Sequence, residues 1–269
     1  MIRAAILTIL LIAGGLFLTL PATAGRFHDI EDYRTAVLWG LPLGAFLLSF
    51  VFFPRLSPPA GETPGGPVRR RLWLLGACAL AFLLDQSFLA FGYFTEWATF
   101  TASAPDPAGG GLALRALWAL PLALLLGIWG WERALRGAVY TGWRRVLPLP
   151  AALGISVLAG LALALPPILP VGEIRDLPFV AAALTAVLCR EVSFALVFSR
   201  GGGLLVAGLY RGAFWFFEAF VINDWYSLYA PAANYVAGDA LFYAARAVVA
   251  LLGLAVVVAA VRPRVSAAA

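Results

Sequence analysis

Eight stretches of this chain are each apolar for about 20 residues, the length of helix that crosses the hydrocarbon core of a bilayer. They fall at roughly 4–24, 36–53, 72–94, 112–131, 148–169, 178–198, 203–222 and 240–261. Of the 269 residues, 62% are hydrophobic and 12% charged. A soluble domain has about 45–50% apolar and about 25% charged residues, so both an ordinary soluble fold and disorder are excluded. Proline, glycine and charge separate most of the stretches, at Pro54–Pro67, Pro105–Gly111, Pro166–Pro178 and Ser199–Gly203. The longest of these connections, Pro54 to Arg71, reads as a flexible loop. The pattern predicts an all-α polytopic membrane protein with about eight transmembrane helices, residues 1–269 forming one integral membrane domain. Residues 1–24 are a first transmembrane helix or a signal peptide. Ala22-Thr23-Ala24 suits a cleavage site, but the run Ala4–Leu20 is long for a signal core, which favours a retained helix. Cleavage would leave seven spans.

The charged residues narrow the chemistry. The 19 basic residues are all arginine, so no lysine can form a Schiff base. One histidine, His28, and two cysteines, Cys78 and Cys189, are too few for a structural zinc or bis-histidine haem site. No metal and no cofactor are expected, and both cysteines should be free buried thiols. With the N-terminus inside, Arg3, Arg55, Arg69, Arg70, Arg71, Arg133, Arg136, Arg144, Arg145, Arg200, Arg262 and Arg264 are cytoplasmic. Arg26, Arg34 and Arg175 are external. Twelve against three is the positive-inside pattern. It places both termini on the cytoplasmic side of a bacterial-type inner membrane if the first helix is retained. The net charge of +5 then reflects topology and attraction to anionic headgroups. The expected partner is the lipid bilayer rather than nucleic acid.

Ionisable side chains inside a span cost about 2.5–3.5 kcal/mol on insertion scales, so they face partners or a wet cavity. Asp85 with Gln86 lies in the third stretch, Arg190 and Glu191 in the sixth, Arg211 and Glu218 in the seventh, and Asp239 and Arg246 at the eighth. Arg211 and Glu218, seven residues apart, share a helical face. Glu191 and Arg211 each lie about two turns from the cytoplasmic end. The simplest expectation is mutual neutralisation between packed helices. The functional one is a polar cavity formed by Glu191, Arg190, Glu218 and Asp85.

A denser pattern follows the fourth stretch: Trp131-Glu132-Arg133-Ala134-Leu135-Arg136-Gly137, continuing to Trp143-Arg144-Arg145. Glu132 and Arg136 stand four apart and can pair on a helix. Their expected depth is the cytoplasmic interface, with a basic amphipathic stretch leading to the next span near Pro148. This pattern resembles the CPBP family, the CAAX prenyl protease and bacteriocin-processing membrane proteins also known for self-immunity. Their first motif is E-E-x-x-x-R, followed by glycine and a short basic stretch. Glu132, Arg136 and Gly137 match the second glutamate, the arginine and the glycine. Arg144 and Arg145 fit the basic stretch, and the register continues to the small residues Ala152 and Ser156. The run Ser199–Leu209 is similar to the turn and helix leading to the family's third motif. The likeness covers about residues 115–222 as a CPBP-like core and implies a CAAX-protease-like helical bundle. It implies Glu132 as the water-activating carboxylate, with Arg136 and Arg211 in the site.

The departures are as informative. The first glutamate of the pair is Trp131. The family's second motif, F-x-x-x-H, falls on Gly160 and Ala164, and its third, H-x-x-x-N or D, falls on Arg211 and Trp215. Losing one oxyanion donor can cost about 10²–10³ in rate, and general base catalysis supplies about 10²–10⁴. The expectation is therefore a catalytically degenerate member that binds a membrane peptide, lipid-linked ligand or partner subunit, in an immunity or accessory role. One alternative is an active divergent intramembrane endopeptidase using Glu132. Another is a small transporter or proton-conducting subunit using Asp85, Glu191, Glu218 and Asp239. The aromatic run Trp225–Tyr235 beyond the seventh stretch reads as an interfacial belt or a docking surface.

Overall fold

The computed structural model describes residues 1–19, 40–56, 67–100, 120–168, 177–216, 236–238 and 240–262. The expectations placed on His28, Glu218, Asp239, the Trp225–Tyr235 run and the external arginines lie outside the described residues. The described residues form helices α1 (Ile2–Thr19), α2 (Leu41–Phe52) and α3 (Val68–Phe94), then a helix α4 over 120–144. After it come α5 (Leu149–Ile168), α6 (Leu177–Val197), α7 (Gly203–Phe216) and α8 (Ala240–Val261). Four ranges are long and apolar enough to cross a membrane: Val68–Gly92, Leu149–Pro166, Val180–Phe216 and Ala240–Val261. Ile2–Leu18 and Leu41–Phe52 are apolar but shorter. The architecture is thus helical and compatible with membrane insertion. One short antiparallel ribbon, absent from the sequence-based expectation, pairs β1 (Ala98–Phe100) with β2 (Val236–Gly238). Three-residue strands carry too little periodicity to be read from sequence.

Two differences from the sequence reading matter. Helix α3 starts at Val68, inside the range expected to be a flexible loop. Helix α4 does not end near residue 131; it continues through Arg144, with Leu126–Tyr140 wound as a π-helix. The stretch expected at the interface is instead buried almost throughout, Trp131 to Tyr140 included. Small residues explain how. Gly130 faces Pro42 of α2, Gly137 faces Leu56 beyond α2, and Gly142 faces Ala4 of α1 and Phe53. Neighbouring helices can therefore close around α4 on several sides.

The apolar side chains form two separate main cores. One joins α1, α2, α4 and α5 through Leu7, Leu11, Ala45, Trp131, Leu135, Val139, Ala159 and Leu163. The other joins α3, α6, α7 and α8 through Leu74, Cys78, Phe194, Val206, Tyr210, Phe214 and Val257. Cys78 and Cys189 are free and buried. Helices α6 and α7 fold back on each other at Phe198–Gly202, where Gly201 has φ 103°. Left-handed backbone of this kind is open to glycine at little cost. Phe194 then meets Tyr210 and Phe214 across the hairpin.

Where α4 of the first half crosses α7 of the second, the backbones touch. Gly127 lies against Gly208 and Gly212, Gly208 against Ile128, and Gly212 against Ala123 and Leu124. Gly208 and Gly212 are a small-xxx-small pair, the spacing that lets helices approach closely in lipid. A Cβ on Gly212 would stand 2.7 Å from the Leu124 Cα and 2.8 Å from the Ala123 carbonyl oxygen. Gly212→Ala should therefore lower unfolding stability in micelles by about 1–3 kcal/mol. Gly76→Ala, where nothing lies within 4 Å, should not destabilise the fold. Denaturant titration of the two variants compares them directly.

Candidate functional site

Four charged side chains meet where the two halves join. Glu132 and Arg136 come from α4, Glu191 from α6 and Arg211 from α7. Along α4, Arg136 Nη1 donates to Glu132 Oε1 at 3.3 Å. Between the halves, Arg136 Nη2 donates to Glu191 Oε2 at 2.8 Å and to the Glu191 backbone carbonyl at 2.7 Å. Arg211 Nε donates to Glu132 Oε1 at 2.7 Å, and its Nη2 lies 2.7 Å from the Glu191 carboxylate. Two carboxylates and two guanidiniums make a cluster of zero net charge. Glu132 and Arg136 have no exposed surface, and Glu191 is 2% exposed. Arg211 keeps 11% of its side chain exposed.

The hairpin explains why Glu191 and Arg211 meet. Each lies ten residues from Gly201, so an antiparallel fold-back there sets them side by side. The α4–α7 glycine contact supplies the rest, because it lets Arg211, held between Gly208 and Gly212 in sequence, reach Glu132. Rings pack against the Arg211 guanidinium, with Phe194 at 4.3 Å and Trp131 at 5.8 Å. Cation–π contacts of this kind suit a desolvated arginine. Gly160 of α5 faces the Glu191 carboxylate so closely that a Cβ there would collide with it. Glycine at this position gives the carboxylate its space. Two polar atoms of the cluster are buried without a hydrogen-bond partner, Glu132 Oε2 and Arg136 Nε, and so is Ser156 Oγ one turn before Gly160.

A second ion pair lies within the other half. Arg190 Nη2 donates to Asp85 Oδ2 at 3.1 Å, and Gln86 Nε2 donates to the same oxygen at 2.9 Å. Arg190 also lies 4.2 Å over the Phe214 ring. A narrow cleft beside this pair is lined by Cys189, Ser193 and Tyr210. Consecutive residues of α6 therefore serve different partners, Arg190 toward α3 and Glu191 toward α4 and α7.

The structure brings together Glu132, Arg136, Glu191 and Arg211, with Gly160 and Trp131 against them. Glu132 and Arg136, expected to meet water at the cytoplasmic interface, are buried within the protein. Arg190 and Asp85 form a pair of their own instead of joining that group. Ala164 and Trp215 are half-buried. Arg133, expected at the cytoplasmic surface, is 5% exposed. It donates to the Phe53 and Pro54 carbonyls beyond α2 and lies 3.6 Å over the Phe50 ring. Sequence reasoning missed the roles of Gly208, Gly212 and Phe194, although the small-xxx-small spacing around Arg211 was visible. Among the described residues no three His, Cys, Asp or Glu side chains gather as metal ligands would. No family model, curated protein or solved structure matches the chain.

Removing one partner of a buried ion pair leaves an uncompensated charge and costs about 3–5 kcal/mol. Glu191→Ala should destabilise the protein on that scale. Gly160→Ala should also destabilise the wild type, yet have little further effect once Glu191 is alanine. The expected coupling is about 1–3 kcal/mol, read from a double-mutant cycle of unfolding in micelles.

Proposed function

We propose that this chain is an integral membrane protein of CPBP type, with the family's helix order over residues 115–222, whose polar site has become a closed ion-pair lock. On this reading it binds a membrane peptide, a lipid-linked ligand or a partner subunit, in an immunity or accessory role, and does not cut peptide bonds. The carrying observation is that both carboxylates of the cluster are committed to arginines in a buried, net-neutral group. A peptidase needs a carboxylate with access to water and to a scissile amide. Here Arg211 stands where the family places a histidine, and it bonds to Glu132 and Glu191 rather than facing an open cleft. Gly160, where the family has the phenylalanine of its second motif, supports the same reading because it accommodates Glu191, and the histidine of that motif is replaced by Ala164.

The membrane reading comprises eight spans with both termini in the cytoplasm of a bacterial-type cell. Its support is the arginine bias together with the gathering of predicted cytoplasmic ends at one pole of the bundle. Ala4 and Phe53 meet at Gly142, Trp143 Nε1 donates to Thr8 Oγ1 at 3.0 Å, and Arg70 bonds to the Arg200 and Val261 carbonyls. A fluorescent protein fused to the C-terminus should therefore fluoresce, while alkaline phosphatase fused there should stay inactive. The reverse pattern would invert the topology.

One observation favours a second reading, the divergent endopeptidase. Glu132 Oε2 is buried with no hydrogen-bond partner, and a carboxylate oxygen so placed could accept a bond from a water. Purified wild type and Glu132→Gln, each reconstituted in vesicles with quenched-fluorescent hydrophobic peptides, separate the two. The expected result is no turnover by either, with a stoichiometric companion retained on mild-detergent purification. Cleavage by wild type that Glu132→Gln abolishes would refute the non-catalytic reading.

A further inference from the structure

Five arginines converge at one pole of the bundle from three segments far apart in sequence. Arg69, Arg70 and Arg71 occupy the first turn of α3, Arg200 lies in the bend between α6 and α7, and Arg262 follows α8. Arg70 holds them together. Its Nε donates to the Arg200 carbonyl at 3.4 Å, and its Nη2 donates to the Val261 carbonyl at 3.0 Å. Trp73 Nε1 adds a bond to the Ala260 carbonyl at 3.3 Å. Arg70 is thereby used to fasten the segments. Arg69, Arg200 and Arg262 stay exposed and Arg71 half-exposed, with Arg71 Nε buried and unpartnered.

Nothing described at this pole neutralises them. The acidic residues among the described ones are Asp85, Glu96, Glu132 and Glu191. Asp85, Glu132 and Glu191 are bound to arginines in the interior, and Glu96 follows the far end of the 27-residue α3. The first turn of α3 also contains no acid. Three arginines there stand at the positive end of the helix dipole, an arrangement that an anion relieves. Immediately beneath the charges the surface turns apolar, with Leu72 63%, Trp73 50% and Leu75 36% exposed. A phosphate above and hydrocarbon below is the layout of a phospholipid.

We propose that Arg69, Arg71, Arg200 and Arg262 form a binding site for the phosphodiester headgroup of an anionic phospholipid, whose acyl chains lie along Leu72, Trp73 and Leu75. The inference rests on the membrane placement proposed above but not on the protease likeness. Several arginines beside a span form the kind of basic surface that anionic headgroups recognise, and guanidinium forks suit phosphate oxygens. Arg70 positions the site and does not itself need to touch the lipid.

The test uses the full-length protein in dodecylmaltoside micelles doped with phosphatidylglycerol or phosphatidylcholine, read by native mass spectrometry. The wild type should retain phosphatidylglycerol in preference to phosphatidylcholine. Replacing Arg69, Arg71, Arg200 and Arg262 by glutamine should weaken phosphatidylglycerol retention about tenfold or more. Replacing Arg3 and Arg145 by glutamine should leave it unchanged, and inorganic phosphate should not displace the lipid. Equal retention of both lipids, equal loss in the two sets of variants, or displacement by millimolar phosphate overturns the site. Retention of neither lipid also overturns the site; the membrane placement is judged separately by the C-terminal fusions, and peptide turnover by the protein would leave this inference standing.

Discussion

The contact between Glu132, Arg136, Glu191 and Arg211 is the one on which the two halves of the bundle depend. Each half has its own apolar core, and a dispersion-driven interface between apolar helices has little directional preference. The ion pairs supply direction. Arg136 reaches from the first half to Glu191, and Arg211 reaches from the second half to Glu132. Since these charges are out of water, losing one partner costs far more than at a surface, and register errors between the halves would cost a comparable amount. The network thus fixes how α4 sits against α6 and α7 more tightly than packing alone.

That arrangement requires backbones to come close, and glycine makes it possible. Gly127, Gly208 and Gly212 set the α4–α7 crossing, while Gly160 makes space for the Glu191 carboxylate. The π-helical winding of Leu126–Tyr140, an uncommon backbone geometry, includes Trp131, Glu132 and Arg136. Charge pairing and close packing are two aspects of one design here. Small residues bring the helices near enough for short arginine–carboxylate bonds, and those bonds hold the crossing in place.

Much of the helical organisation was legible because hydrophobicity is local. Each of the eight apolar stretches contains a helix among the described residues, although α4 runs well past the end expected for it. The bend at Ser199–Gly203 was marked by its glycines. Asp85, Arg190, Glu191 and Arg211 stood out as interior because apolar residues flank them on both sides. Glu132 and Arg136 were expected to meet water for the converse reason. Arg133, Arg136, Arg144 and Arg145 crowd the stretch and lower its hydropathy, so it reads as the end of a span. Its small residues, which let four other helices close around α4, carry no such local signature.

From the sequence alone come the helical class, the approximate limits of the apolar segments and the requirement that the interior charges find partners. These follow from composition and period, which belong to each segment separately. The tertiary structure decided which acid meets which arginine. That outcome depends on the depth and rotation of helices 55 and 79 residues apart, set jointly by a hairpin bend, a glycine crossing and the space beside Gly160. Burial of Glu132 is a property of all those neighbours at once, and no single segment encodes it.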